Sequence, residues 1–159
     1  MTDNQGRLVI AYDGSDAAQR AIVQAGKVVA LRQASVVTVW EEALAFVPAM
    51  SGLAGCPVPF DPEELAAIER EAEHEADRLS REGAALARFA GFDAEPVACD
   101  DHGGIAETIL EVSRARDAEL IVLGSRGLGG VLRRLHGSTS SHVMSEAACP
   151  VLVVHDLEQ

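Results

Sequence analysis

The sequence predicts a single-domain α/β fold: an open, five-stranded parallel sheet of Rossmann-like type with helices on both faces. Two observations lead there. Short runs that are apolar throughout alternate with longer segments whose apolar residues recur at helical spacing, the pattern of strands buried on both faces. The chain of 159 residues, 48% hydrophobic, is long and apolar enough for one such core. With only 4% aromatic residues, that core must be built from Ala, Val, Leu and Ile.

The elements follow in order. Leu8 to Ala11 reads as a buried strand that ends in the turn Tyr12-Asp13-Gly14-Ser15. Ser15 or Asp16 can cap a helix over Ala17 to Leu31, with Ala18, Ile22, Ala25 and Val29 at helical spacing. Ser35 to Trp40 is the second strand. Glu41 to Pro62, rich in Pro and Gly, reads as a long loop. Glu63 to Ala90 is the longest helical pattern. Leu65, Ile68, Ala72, Ala76 and Leu79 form its apolar side, and Glu69, Arg70, Glu73 and Asp77 its solvated face. Ala94 to Cys99 is a third strand, and Gly103-Gly104 opens a helix to about Arg116. Glu119 to Leu123 is a strongly apolar strand, Gly124 to Gly137 a Gly-rich segment, Ser138 to Ala147 a helix, and Pro150 to His155 the last strand. No internal repeat or second domain is visible, so residues 1–159 are read as one domain.

Composition excludes several function classes. A net charge of −12 argues against sequence-independent nucleic-acid binding and against docking on anionic lipid, both of which need clustered Lys and Arg. The three cysteines, Cys56, Cys99 and Cys149, are scattered and make no CxxC pair, so reduced thiols are expected. The opening residues Met1 to Arg7 are polar with no signal-like run behind them, and no segment is long enough to span a membrane. A cytoplasmic protein is the expectation.

The chemistry concentrates in Gly124-Ser125-Arg126-Gly127-Leu128-Gly129-Gly130 and in Gly137-Ser138-Thr139-Ser140 at the start of a helix. Glycines let a phosphate approach the backbone. A helix N-terminus offers unpaired N–H groups and the positive end of its dipole. Ser138, Thr139 and Ser140 add hydroxyls, and Arg126 can add charge-assisted bonds. The segment is no Walker A loop, since Gly-Lys-Ser/Thr is missing. It is no dinucleotide fingerprint either, since Leu132 stands where the third glycine belongs. Ligands in open α/β sheets sit beyond the carboxyl ends of the strands, which points to the loops after Ala11, Trp40 and Leu123, with the loop after Cys99 as a further candidate.

The spacing G-x2-G-x9-G-S, through Gly124, Gly127, Gly137 and Ser138, resembles the nucleotide-binding motif of ATP-binding universal stress proteins. The resemblance extends to Val9-Ile10-Ala11-Tyr12-Asp13-Gly14-Ser15, to Val39-Trp40, and to Ala148-Cys149-Pro150-Val151-Leu152-Val153-Val154. It implies the strand order 3-2-1-4-5 and ATP as ligand, with Mg²⁺ carried on the phosphates. By matching position, Asp13 would hold the adenine or ribose side, Val39 would meet the adenine through its backbone, and Ala11 would line the ribose. Leu123 and Gly124 would line the ribose and first phosphate, and Arg126 and Gly127 would flank the phosphates. Gly137, Ser138, Thr139 and Ser140 would hold the β- and γ-phosphates. The resemblance also implies a homodimer through Val151–Val154, which would close an apolar edge strand against its own copy.

Other readings stand beside these. The Gly-rich segment could be a turn, Asp13 a strand-end turn residue, and Asp100-Asp101-His102 a metal site or a loop capping the next helix. His136 reads as an exposed loop residue over one that touches a phosphate, and Arg133 and Arg134 could reach a phosphate or a partner or be plain solvated charges. No His–Asp pair accompanies Ser138 or Ser140, and no arginine finger is apparent, so at most slow ATP hydrolysis is expected. The rival functions are an AMP- or cyclic-AMP-binding sequestration protein, an adenylate-transferring enzyme, and an interaction module with an empty site. A bulky residue at Gly124 or Gly137 is expected to abolish binding by meeting phosphate.

Overall fold

The computed structural model describes residues 6–30, 33–41, 61–101, 103–125 and 138–155. Five strands form one parallel sheet: β1 (Arg7–Ala11), β2 (Gln33–Trp40), β3 (Asp93–Asp100), β4 (Ala118–Gly124) and β5 (Val151–Val154). Their order is β3-β2-β1-β4-β5, as the resemblance implied. The described helices are α1 (Asp16–Val28), α2 (Pro62–Phe89), α3 (Ile105–Ala115) and α4 (Ser138–Glu146).

The strands are apolar throughout because each face of the sheet carries its own core. On one face Leu8, Ile10, Val36 and Val122 meet Ala18, Ala21, Ile22 and Ala25 of α1 and Ala84 and Ala87 of α2. On the other, Val9, Val37, Ile121 and Leu123 meet Ile109 and Leu110 of α3 and Val143 of α4. Small alanines let α1 and α2 approach the sheet closely, as a core poor in aromatics requires. Pro96 lies within β3, where an edge position tolerates its missing N–H.

Local chemistry sets the helix ends. Ser15 caps α1 by accepting a hydrogen bond from the Ala18 amide at 3.2 Å. α1 stops at Val28 and not at Leu31, which lies outside the described residues; Val29 is already extended, with φ −97° and ψ 128°. α3 begins at Ile105, after Gly103 and Gly104 at φ +145° and +113°, a region that glycine enters without strain. The Asp101 carboxylate accepts from both of their amides and so shapes the turn before α3, but the N-cap is Gly104, which makes no side-chain cap bond, so the cap expected of this loop is not formed. His102 lies outside the described residues.

The apolar side expected along all of α2 holds only for its second half. Ile68 is 58% exposed, and the buried residues begin at Ala76. The reason is length. A helix of 28 residues runs about 42 Å, against roughly 26 Å for the eight residues of β3 beside it, so its first turns pass beyond the sheet.

Candidate functional site

The described site residues gather at the carboxyl edge of the sheet, around the switch point between β1 and β4. Ala11 ends β1, Val39 lies near the end of β2, and Leu123 and Gly124 end β4. Leu123 and Val39 are buried and supply apolar walls on the α3–α4 face. Asp13 stands in the turn after β1, where its Oδ1 accepts from the Ser15 amide at 3.0 Å. The turn role weighed for Asp13 is therefore present. Past β4, the Ser125 amide donates to the Val154 carbonyl at 2.8 Å, which holds the start of the Gly-rich segment against β5. Ser138 and Thr139 open α4, and Ser140 is buried at 4% exposure. Arg126, Gly127 and Gly137 lie outside the described residues, as do Arg133, Arg134, His136 and the 42–60 stretch.

Gly124 has a structural reason independent of any ligand. A Cβ there would stand 2.7 Å from the Ala17 carbonyl carbon and 2.9 Å from its oxygen, so the first turn of α1 rests directly on the end of β4. The expectation that a larger residue at Gly124 acts by meeting phosphate needs this correction: the larger side chain meets α1 first.

Sequence reasoning missed three residues, Tyr12, Thr38 and Glu82, that tie the ends of β1 and β2 to each other and to α2. Tyr12 is buried at 2% exposure, and its hydroxyl donates to Glu82 Oε1 on α2 at 2.7 Å. Its ring lies against Gly83, where a Cβ would come within 2.7 Å of it. Its backbone carbonyl accepts from the Thr38 hydroxyl at 2.8 Å. Glu82 was unreadable because it lies 70 residues from Tyr12. A signal existed for Thr38, a hydroxyl set between valines in the run Val36-Val37-Thr38-Val39.

Burial, the Glu82 hydrogen bond and the Glu82 charge push the Tyr12 phenol well above its ordinary value of 10.0. Below that value folded and unfolded chains both keep the proton, and the contribution to stability is complete. Above it only the unfolded chain releases the proton, so stability falls as pH rises further. Tyr12 is the chain's only tyrosine, so phenolate absorbance reports on it alone. Ionisation is expected to be delayed beyond the usual tyrosine range and to coincide with unfolding. Tyr12→Phe is expected to cost about 1 kcal/mol at neutral pH and to flatten the alkaline decline. A normal, reversible phenol titration in the folded protein would contradict the burial.

The two described cysteines, Cys99 and Cys149, carry no sign of reactivity. Cys99 and Cys149 are free and half-buried, and burial, helped by Asp100, raises the Cys99 thiol to about 11. Cys56 lies outside the described residues. Among the described residues no group of three or more His, Cys, Asp or Glu is placed to hold a metal ion, and no helix is long and apolar enough to cross a membrane.

The universal stress protein family model matches residues 5–155. The chain belongs to the universal stress protein family. Universal stress protein YxiE of Bacillus subtilis is 30% identical over 150 residues, spanning 93% of this chain and 97% of its own length. A universal stress protein of Thermus aquaticus is 37% identical over 147 residues, spanning 92% and 96%. UspA from Lactobacillus plantarum superposes with a TM-score of 0.71 at 20% identity, over 94% of this chain and 97% of that one. A universal stress protein solved in complex with cAMP gives 0.65 at 24% identity, over 94% and 97%. The Archaeoglobus fulgidus protein in complex with dAMP gives 0.57 at 21%, over 93% and 96%. At these identities the superpositions establish the fold.

Proposed function

We propose that this universal stress protein is a cytoplasmic ATP-binding homodimer that couples adenylate state to partner interactions, with at most slow hydrolysis. The observation that carries the reading is the convergence of Ala11, Asp13, Val39, Leu123 and Gly124 at the switch point of the sheet, with α4 starting beyond Gly124. Val39 and Leu123 offer apolar surface for a base and sugar. The α4 N-terminus, with Ser138 and Thr139, offers donors for phosphates. Gly127, Gly137 and Arg126 would complete the cradle, and Ser140 would stand behind it. Mg²⁺ would ride on phosphate oxygens and water. The cAMP and dAMP complexes of related proteins support an adenine ligand and favour, as a second reading, a protein that sequesters AMP or cyclic AMP.

The homodimer reading rests on β5. This edge strand is apolar at all four positions, yet each is only partly buried in the single chain. Pairing β5 with its own copy across a two-fold axis would cover it.

The first test is to identify the nucleotide released when the purified protein is denatured. ATP with some ADP is the expected result. AMP or cyclic AMP would favour sequestration, and a protein that stays empty and ignores added nucleotide would refute the site. Asp13→Asn adds a second arm. The amide oxygen still accepts from Ser15, so melting should be unchanged while ATP affinity falls about tenfold. Unchanged affinity would remove Asp13 from the site.

A further inference from the structure

The β1–β2 ladder ends in a way that the strand pattern alone does not require. The Tyr12 amide donates to the Val37 carbonyl at 2.8 Å. In a parallel ladder the next bond would run from the Val39 amide to the Tyr12 carbonyl, because alternate residues of one strand face the same neighbour. That carbonyl instead accepts from Thr38 Oγ1 at 2.8 Å in a buried bond. Among the described residues, no backbone hydrogen bond joins the Val39 amide to Tyr12. Thr38 is 3% exposed, so water does not compete for its hydroxyl. Val39 thus directs both its N–H and its C=O past the end of β1, into the edge where Asp13 and Leu123 also stand.

We propose that Thr38 is a positioning residue for base recognition: its hydroxyl occupies the Tyr12 carbonyl and so keeps the Val39 amide available to a purine. The inference rests on the adenine-nucleotide reading above. One backbone N–H beside one C=O matches the Watson–Crick edge of adenine, whose N1 accepts and whose N6 amino group donates. Guanine reverses both, with a donor at N1 and an acceptor at O6. Thr38 touches no ligand itself. It acts by holding the Tyr12 carbonyl on its own hydroxyl, where the Val39 amide makes no bond to it, and selectivity for adenine over guanine follows from the freed pair.

The test uses Thr38→Val, which deletes the hydroxyl, and Thr38→Ser, which keeps it. Two quantities are read in the full chain: Val39 amide hydrogen exchange by NMR without nucleotide, and binding of ATP and GTP. In the wild type, the Val39 amide should exchange much faster than that of Val37. In Thr38→Val the ladder closes, and Val39 exchange should slow at least tenfold. ATP affinity should fall about tenfold, the loss of one hydrogen bond to the base, and the ATP-to-GTP preference should narrow. Thr38→Ser should restore all three. If Thr38→Val does not fold, Thr38→Ala carries the same comparison. A Val39 amide as protected as Val37 in the wild type overturns the proposal, as does a variant that melts lower but keeps both its Val39 exchange and its ATP-to-GTP ratio. A wild type that binds neither nucleotide, while Val39 exchange still follows the hydroxyl, refutes the adenine reading and leaves the control of Val39 by Thr38 standing.

Discussion

Gly124→Ala is expected to lower the melting temperature of the nucleotide-free protein by roughly 10 °C, near 3 kcal/mol for a chain of this size. The added Cβ would lie within 3.0 Å of three backbone atoms, the carbonyl carbon and oxygen of Ala17 and the amide nitrogen of Ala18. Backbone cannot rotate aside as a side chain can. Either α1 lifts from β4, opening the packing of Ala18, Ala21 and Ile22, or β4 bends away from β1. Each outcome also displaces the turn that carries Asp13, so nucleotide binding should disappear with stability. Loss of binding in this variant alone would therefore say nothing about phosphate contact, and the melting curve without nucleotide is the decisive measurement. A wild-type melt would show that α1 does not rest on β4 as described.

Gly83→Val should have an effect of similar size through a different contact. The Cβ of residue 83 would stand 2.7 Å from Cγ and Cδ1 of Tyr12 and 2.8 Å from Cγ1 of Val36. All of these atoms belong to fully buried side chains on the α1–α2 face. The ring has no space to yield, because its hydroxyl is tied to Glu82 one residue away on the same helix. Better helix propensity offsets only a few tenths of a kcal/mol of the overpacking, which costs about 3 kcal/mol. The urea midpoint should fall with an unchanged slope, and Tyr12 should begin to titrate at lower pH as its hydroxyl leaves Glu82. An unaltered midpoint would mean that α2 sits farther from β2 than the structure shows.

The two glycines show where reading the sequence stops. Gly124 was legible as a special position, but for a ligand, because a glycine after an apolar strand looks the same whether a phosphate or a helix backbone comes close. Gly83 was not legible at all. It lies inside a strong helical pattern, where nothing nearby in the chain announces the ring of Tyr12. Ile68 failed in the other direction: its spacing is that of a buried residue, and only the length of α2 relative to the sheet leaves it exposed.

The sequence by itself determined the strands, the helices, a cap at Ser15 or Asp16, the absence of Pro from the central strands, and the family motif with its spacing. These depend on contacts between residues close in the chain, or on a pattern of residue types that can be matched position by position. The tertiary structure decided that Glu82 receives the Tyr12 hydroxyl, that Thr38 takes the Tyr12 carbonyl from Val39, and that Arg116 joins Ser35 and Glu95 at the opposite end of the sheet. Each of these bonds spans 21 to 81 residues. Partners so distant meet only after the sheet has brought their strands together, and hydrogen-bond geometry, sharp to a few tenths of an ångström, is set by that packing and not by local preference.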